Sequence, residues 1–140
     1  MGKNAEITNG YFEFLERNGE KLEKILSKPF PAKLSYWLHR AAEKIGMLSR
    51  TYSKTKMQIV ERYAELDENG NIKKTRDGNV LAWRDQEGFI KEYQELLEMK
   101  VDLGIKPIEV DLDQLEERGV IITPAEWTLL PFLKVKGEKE

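Results

Sequence analysis

The chain has 140 residues, of which 40% are apolar and 34% are charged, and its 23 basic and 25 acidic side chains give a formal net charge of −2. This composition is sufficient for one hydrophobic core and is not typical of a collagen-like, low-complexity or disordered chain. The length predicts a single domain over residues 1–140. The lack of Cys and the single His exclude disulfides, thiolate nucleophiles and metal sites that need sulfur or two imidazoles.

Targeting segments are not apparent in the sequence. No apolar stretch approaches the ~18–20 residues that a membrane-spanning helix needs. The first ten residues, MGKNAEITNG, lack the apolar centre of a secretory signal. We therefore expect a protein that makes no membrane contact and remains in the cytoplasm.

The first predicted helix begins after Asn9, at a polar cluster that is typical of helix starts. Apolar residues at helical spacing continue to Leu26, and Gly19 is expected to weaken the middle of the helix. Pro29 and Pro31 then end it, because proline cannot continue a helix that is already formed.

A long helix over about residues 31–66 is the strongest pattern in the sequence. Its apolar positions are separated by three or four residues over most of its length, as the buried face of a helix requires. These positions are Leu34, Leu38, Ala41, Ile45, Leu48, Tyr52, Ile59, Tyr63 and Leu66. A helix of this length would span roughly 50 Å at a rise of 1.5 Å per residue, so we expect a partner helix to pack along it.

A short β-hairpin is predicted over about residues 70–84, at the far end of the long helix. Asp77-Gly78 supplies the positive φ angles that tight hairpin turns need, between apolar segments at 72–75 and 80–83. A return helix is predicted over about residues 86–99. Packed antiparallel on the long helix, it would complete a long helical hairpin with the β-hairpin at its tip.

The C-terminal segment, residues 104–133, is predicted to combine short strands with a short helix. Residues 105–112 alternate in polarity as an edge strand does, and residues 120–122 are expected to pair with them. Thr123 and Glu126 match a capping box that predicts a short helix extending toward Pro131. Residues 134–140 are predicted to be a frayed tail. The predicted fold class is therefore mainly α (α+β).

Acidic residues are concentrated in one part of the chain. Between residues 92 and 117 there are 9 acidic and 2 basic side chains. One interpretation is a solvated helix face followed by acidic loops, since charge mostly keeps proteins soluble. The other is an acidic face that docks on a basic protein surface. Its candidate partner-binding residues are Glu92, Glu95, Glu98, Asp102, Glu109, Asp111, Asp113, Glu116 and Glu117.

Direct binding of nucleic acid is not expected. Lysine and arginine alternate with glutamate in the basic half of the chain, and no cluster of basic and aromatic residues is present. We therefore expect a protein partner.

No pattern of catalytic or metal-binding residues passes a geometric test. Residues 67–71, DENGN, begin like a calcium loop, but the positions for its glycine and its bidentate carboxylate hold other residues. Ser35, His39 and Glu43 are spaced by four on the long helix, where side chains form a row and do not converge on one atom. We predict no enzyme activity, no metal and no cofactor.

Two of the three tryptophans are candidate partner-binding residues. Trp37 follows Tyr36 near the start of the long helix, and two neighbouring residues cannot both face one narrow apolar stripe. Trp83 ends the predicted hairpin. Burial in the core is the simpler interpretation for most aromatic side chains, and we expect it for Trp127. Exposed aromatic side chains are frequent anchors of protein interfaces, so we predict that Trp37 and Trp83 contact a partner.

Most of the chain resembles a family of small tailed-phage proteins of unknown function. The resemblance is carried by PAKLSYWL at residues 31–38, DENG at 67–70, PI at 107–108 and TP at 123–124. It implies a phage origin and a compact helical fold, and it implies no activity. Phe30 stands where leucine is usual in that family, and the hairpin sequence at residues 76–84 is uncommon.

The chain is also similar in size and charge to the small RNA polymerase-binding inhibitors of phages that infect thermophiles. This resemblance rests on general character and on the abundance of Glu, Lys and Arg. It implies a non-catalytic protein that binds host RNA polymerase or its σ factor and changes promoter use. The alternative is a virion-assembly or tail-associated protein. A homodimer formed through the uncovered end of the long helix is a further alternative.

Overall fold

The computed structural model describes residues 3–136. They form five helices and two small sheets, which confirms the predicted class of a mainly α fold with some β structure. In chain order the elements are β1 (Glu6–Thr8), α1 (Gly10–Leu26), α2 (Ala32–Tyr63), α3 (Gln86–Glu98), β2 (Lys100–Asp102), β3 (Ile108–Val110), α4 (Leu112–Glu117), α5 (Pro124–Trp127) and β4 (Leu133–Val135).

Helix α1 begins and ends near the predicted residues and is weak at its predicted middle. Asn18, next to Gly19, has non-helical angles of φ −128° and ψ 18°. Its side-chain amide donates to the Phe14 carbonyl at 2.9 Å. A short polar side chain that bonds its own backbone competes with the helical pattern, which explains a break at this position. Phe12 and Ile25 bury the helix face on either side of it.

Helix α2 ends three residues earlier than predicted. Leu66 was placed on its apolar stripe, but Leu66 is an exposed residue of an extended segment and forms a bridge with Ile72. The Arg84 guanidinium donates to the Ala64 carbonyl at 3.0 Å and to the Arg62 carbonyl at 2.6 Å. A cation that bonds the last carbonyls stabilises a helix end, and this one comes from 20 residues further along the chain.

Residues 64–84, which we call the tip, consist of short extended segments joined by two turns. Isolated antiparallel bridges connect Ala64 with Trp83, Leu66 with Ile72 and Lys74 with Val80. Gly70 and Gly78 have φ values of +81° and +83°, so each turn uses glycine for its left-handed position. The bridged region starts at residue 64, earlier than the predicted 70.

Helix α3 packs along α2, in the order expected if the two helices run in opposite directions. Tyr63, at the end of α2, lies against Gly88 at the start of α3. Farther back on α2, the Tyr52 hydroxyl is 3.3 Å from the Tyr93 hydroxyl. The N-cap of α3 is Asp85, whose carboxylate accepts from the Gly88 N–H at 3.0 Å.

The strand pairing predicted for the C-terminal segment is wrong. Residues 120–122 form no strand, because Val120 donates its N–H to the Leu115 carbonyl and so closes the end of α4. Gly119, at φ +74°, makes this turn possible. The partner of β3 is β4, in parallel register with Ile108 opposite Leu133. The antiparallel pair of β1 and β2 and the helix α4 were not predicted.

The predicted tail is wrong at its first residues. Residues 134 and 135 belong to β4, and the Lys136 N–H donates to the Val110 carbonyl at 2.9 Å. Val135 and Leu133 supply the β-branched and apolar character that favours a strand. Residues 137–140 of the predicted tail lie outside the described residues. The Thr123–Glu126 capping box is present as predicted.

One cluster of buried side chains connects β1, α1, α2, β3 and α4, and half-buried residues of α3, β2 and β4 pack against it. It includes Phe12 of α1, Leu38 and Ile45 of α2, and Leu103 and Phe132 of the C-terminal half. Residues 104–114 continue from this core along the first turns of α2, which creates the groove described below. Within residues 3–136, no helix has both the length and the apolar character needed to cross a bilayer.

Candidate functional site

A groove lies between the beginning of α2 and residues 104–114, and we call it the α2–β3 groove. Its volume is about 750 Å³, within the range of about 300–1,000 Å³ that is usual for ligand sites. Leu34 contributes to one wall and Ile105 and Ile108 to the other. Gly104, at φ +72°, turns the chain so that it runs beside α2.

Trp37 lines the groove and is exposed. It is 45% accessible, and the neighbouring Tyr36 is 55% accessible. The two rings meet edge to face with their centroids 5.3 Å apart. Leu38 and Ala41 occupy the buried stripe of α2, so the residues before them project outward. The structure thus places one predicted partner-binding residue, Trp37, at the wall of an open groove.

Three cationic side chains line the same groove. Lys33 and Arg40 lie on α2, and Lys106 lies on the facing segment. The five ion pairs formed among residues 3–136 include none of the three. Arg40 instead donates to the Tyr36 hydroxyl at 3.3 Å, with its guanidinium carbon 6.0 Å from the ring centroid. The groove therefore combines apolar walls with three cations that form no ion pair within the described part of the chain.

Two predicted acidic residues, Glu109 and Asp111, also line the groove. The Asp111 carboxylate accepts from the backbone N–H groups of Asp113 and Gln114, at 3.1 and 3.3 Å, and so caps α4. Glu109 is exposed and has no such local role. Both hydrogen bonds to Asp111 use Oδ1, so this carboxylate keeps its negative charge, as does that of Glu109.

The other predicted acidic residues lie outside the groove. Glu95 and Glu98 are exposed on α3. Glu92 on the same helix is half-buried and bonds the Arg62 guanidinium through both oxygens, at 2.8 and 3.0 Å. Asp102 accepts from the Gly104 N–H at 2.7 Å and stabilises the turn into the groove. The remaining predicted positions, exposed on α4, are Asp113, Glu116 and Glu117.

Trp83 lies in the tip, near the end of α2 that is opposite to Trp37. Its side chain is half-buried. Its ring stacks on Phe89 with centroids 4.1 Å apart, and its backbone bridges to Ala64. Because one face of the indole is covered by α3, Trp83 contributes to the packing of the tip on the helices. The structure does not bring the two predicted tryptophans together.

Sequence reasoning missed a polar cluster in the centre of the molecule. The Glu13 carboxylate accepts from the Tyr52 hydroxyl and from Lys56 Nζ, the latter at 3.0 and 3.1 Å. Desolvation alone would raise the pKa of the Glu13 carboxyl, but these hydrogen bonds lower it overall. Burial and the hydrogen bond to Glu13 raise the pKa of Tyr52. The cluster joins α1 to α2.

The row of Ser35, His39 and Glu43 on α2, which could suggest a catalytic site, is explained by contacts within the helix. His39 Nδ1 lies 2.7 Å from the Ser35 carbonyl and 3.5 Å from the Ser35 hydroxyl. This is the ordinary contact of two residues one helical turn apart. Within residues 3–136, no group of three or more His, Asp or Glu side chains is placed to hold a metal ion.

A scan against protein-family models finds no match for the chain, and searches of curated proteins and of solved structures find no similar chain. The assignment of a function therefore depends on the residues and their arrangement. The groove residues that sequence reasoning missed include Lys33, Leu34, Arg40, Ile105 and Lys106. No sequence pattern brings residues 33–40 next to 105–106; the turn at Gly104 does so.

Proposed function

We propose that this chain is a non-catalytic protein-interaction module that binds a segment of a partner protein in the α2–β3 groove. The observation that carries the proposal is the exposed Trp37 at the wall of that groove. Exposing an indole to water is unfavourable, and tryptophan is among the residues that contribute most to protein interfaces. Tyr36 and Arg40 beside it belong to the same class of interface-favouring residue.

The long helical hairpin predicted from the sequence is part of this proposal. In it, α2 and α3 form an antiparallel pair with the tip at one end and the groove at the other. The order of contacts along the two helices, with Tyr63 near Gly88 and Tyr52 near Tyr93, supports this arrangement. Such a rod separates the binding surface from the tip by most of the length of α2.

The partner is proposed to be a host protein machine, with RNA polymerase or its σ factor as the first candidate. Phage origin is supported by the resemblance of residues 31–38, which include Trp37, to small tailed-phage proteins. The polymerase is supported only by the similarity in size and charge to phage inhibitors. A virion-assembly or tail-associated role is the competing outcome of the test below.

The acidic face of α3 and α4 is proposed as a second contact with the partner. Glu95, Glu98, Glu116 and Glu117 are exposed there and have no ion-pair partner among the described residues. Such side chains increase the association rate with a basic surface. If this face is used, association weakens as salt is added, because the Debye length falls to ~3 Å at 1 M.

Affinity capture with matched variants tests the proposal. The immobilised full chain is incubated with host lysate or with purified RNA polymerase, in parallel with Trp37→Ala and Met57→Ala. Met57 is a suitable control because it is also exposed, at 49%, and also on α2, but lies outside the groove. We expect the wild type and Met57→Ala to retain polymerase subunits and Trp37→Ala to lose at least about nine-tenths of them.

Three results would count against the proposal. Equal retention by Trp37→Ala and the wild type would show that the groove is not the binding surface. Recovery of capsid or tail proteins alone would replace the polymerase with a virion partner. Conversion of a small-molecule substrate, lost in the Trp37 variant, would show that the groove is an active site.

A further inference from the structure

The α2–β3 groove is bordered on one side by the backbone of a strand with an unoccupied edge. Strand β3 pairs with β4, and among residues 3–136 the sheet has only these two strands. Each strand therefore has one edge that the sheet does not use. Which edge of β3 faces the groove determines what the groove can bind.

Backbone hydrogen bonds fix the side of β3 that is occupied. The Ile108 N–H donates to the Phe132 carbonyl at 2.8 Å, and the Lys136 N–H donates to the Val110 carbonyl at 2.9 Å. Along a strand, successive residues direct their backbone groups to alternate edges. Ile108 and Val110 therefore bond toward β4, and the N–H and carbonyl of Glu109 point to the opposite edge.

The groove meets this open edge. Its lining includes residues 104–107, which precede the strand, and the neighbouring strand residues Ile108 and Glu109. Neighbouring side chains of a strand point to opposite faces, so a groove on one face of β3 would be lined by only one of these two residues. Pro107 also fits an edge, because it has no N–H to leave unpaired. Among the described residues, the Glu109 N–H and carbonyl have no hydrogen-bond partner across the groove.

The charged side chains of the groove indicate which kind of peptide segment it can bind. Lys33, Arg40 and Lys106 line the groove without an ion-pair partner among residues 3–136, and Asp111 is engaged in capping α4. Asp111 keeps its negative charge while it caps the helix, so three cations face two carboxylates and the groove has an excess of positive charge. A segment that carries carboxylates would be attracted, and apolar side chains of the same segment could contact Trp37 and the apolar walls.

We propose that an extended, carboxylate-bearing segment of the partner protein adds to the open edge of β3 as a third strand. This inference rests on the proposed function and specifies its binding mode. The Glu109 N–H donates to the added segment and the Glu109 carbonyl accepts from it. Alternate side chains of the segment face α2, where Trp37 provides an apolar contact and the cations pair with carboxylates.

A peptide titration of the full-length chain tests this binding mode. The probe is an acetylated and amidated heptapeptide with valine and glutamate in turn at its odd positions and threonine at its even positions, so that one face of the strand carries both apolar and carboxylate side chains. Binding is followed by two-dimensional NMR of the ¹⁵N-labelled protein. We expect shifts of the Glu109 amide and of the Trp37 indole N–H, and at least about tenfold slower hydrogen exchange of the Glu109 amide at saturation. The same peptide with every backbone nitrogen methylated cannot donate to the Glu109 carbonyl in any register and should not bind.

Charge variants provide the matched control. Lys33→Glu combined with Arg40→Glu should weaken peptide binding at least about tenfold. Arg50→Glu combined with Lys54→Glu makes the same change of net charge on exposed positions of α2 outside the groove. This second pair should leave the affinity within about twofold, since distant exposed charges are screened.

Several results would overturn strand addition. They are no shift of the Glu109 amide at millimolar peptide, equal binding of the N-methylated peptide, or equal weakening by both charge pairs. Shifts of the groove residues that grow with protein concentration alone would identify a second copy as the occupant. Each result leaves the dependence of partner capture on Trp37 as a separate measurement, so the failure of this inference is distinguishable from the failure of the proposed function.

Discussion

The two ends of α2 differ in how their polar side chains are used. At the C-terminal end, Arg84 bonds the last carbonyls of the helix, and Arg62 forms a bidentate pair with Glu92. At the N-terminal end, Lys33 and Arg40 lack an acidic partner among the described residues, next to an exposed indole. The first arrangement stabilises the chain itself, and the second leaves interactions available to another molecule.

This difference teaches that charge alone does not identify a binding surface. The acidic residue Glu92 and the basic residue Arg62 both occur in charge-rich segments, yet they form an ion pair with each other in the structure. The cations of the groove are recognised as candidates because they form no ion pair among residues 3–136. The predictions below test the contrast between stabilising and available side chains.

The largest expected effect is a difference in stability between variants of two neighbouring residues, Leu38 and Trp37, at the groove end of α2. Leu38 is 1% accessible, so Leu38→Ala should lower the free energy of unfolding by about 2–5 kcal/mol. Trp37→Ala should lower it by less than about 1 kcal/mol, because this side chain is exposed. Urea unfolding followed by circular dichroism measures both. A loss of stability in Trp37→Ala as large as that in Leu38→Ala would assign the tryptophan to the core.

A smaller effect on stability is expected when two arginines near opposite ends of α2 are compared. Arg40 lies on the helix, and Arg84 reaches its last turn from the tip. Arg84→Ala removes hydrogen bonds to the carbonyls of Glu61, Arg62 and Ala64. We expect a loss of about 1–2 kcal/mol in the free energy of unfolding, together with faster amide exchange in the tip. Arg40→Ala should change the free energy by no more than about 0.5 kcal/mol. Equal effects of the two substitutions would remove the contrast between the ends.

A pH-dependent effect on stability is expected at the cluster of Glu13, Tyr52 and Lys56, which lies between the two ends of α2. The pKa of the Glu13 carboxyl is lowered from its ordinary value of 4.5, so its stabilising effect is present above that pH and is lost as the pH falls through the folded-state pKa. The wild type should therefore be more stable than Glu13→Gln at pH 7, with a smaller difference at pH 3. Urea midpoints measured at both pH values provide the test. A difference that stays constant would show that the folded-state pKa is not lowered.

The smallest effect is expected at the ion pair between Glu92 and Arg62. More than half of the Arg62 side chain is accessible, and exposed pairs contribute little. Glu92→Gln should change the free energy of unfolding by no more than about 0.5 kcal/mol. A thermal unfolding series at low and high salt measures this contribution. A change above about 2 kcal/mol would show that the pair is a major stabilising contact of the C-terminal end.

Local patterns in the sequence predicted the helical part of the fold. The apolar period of α2, the glycine of Asp77-Gly78 and the capping box of Thr123 and Glu126 depend on residues that are close in the chain. Such signals are reliable because one helical turn or one β-turn contains all the atoms that cause them. The ranges of α2 and α3 were therefore close to those observed.

Long-range contacts account for what the sequence did not reveal. The end of α2 depends on Arg84, which reaches back to Ala64, and the pairing of β3 depends on β4 more than 20 residues later. The groove depends on the turn at Gly104, which brings two apolar segments together. Trp37 was predicted as a partner-binding residue because it neighbours Tyr36 on a helix, whereas the cations around it carry no comparable signal.

Hydrogen exchange of the complex tests the central claim most directly. The full chain is exchanged alone and with the partner that the wild type captures, and protection is compared along the sequence. We expect protection within residues 33–40 and 104–111, with little change across the tip at residues 64–84. Protection confined to the tip, with unchanged exchange at residues 33–40 and 104–111, would contradict the assignment of the α2–β3 groove as the binding surface.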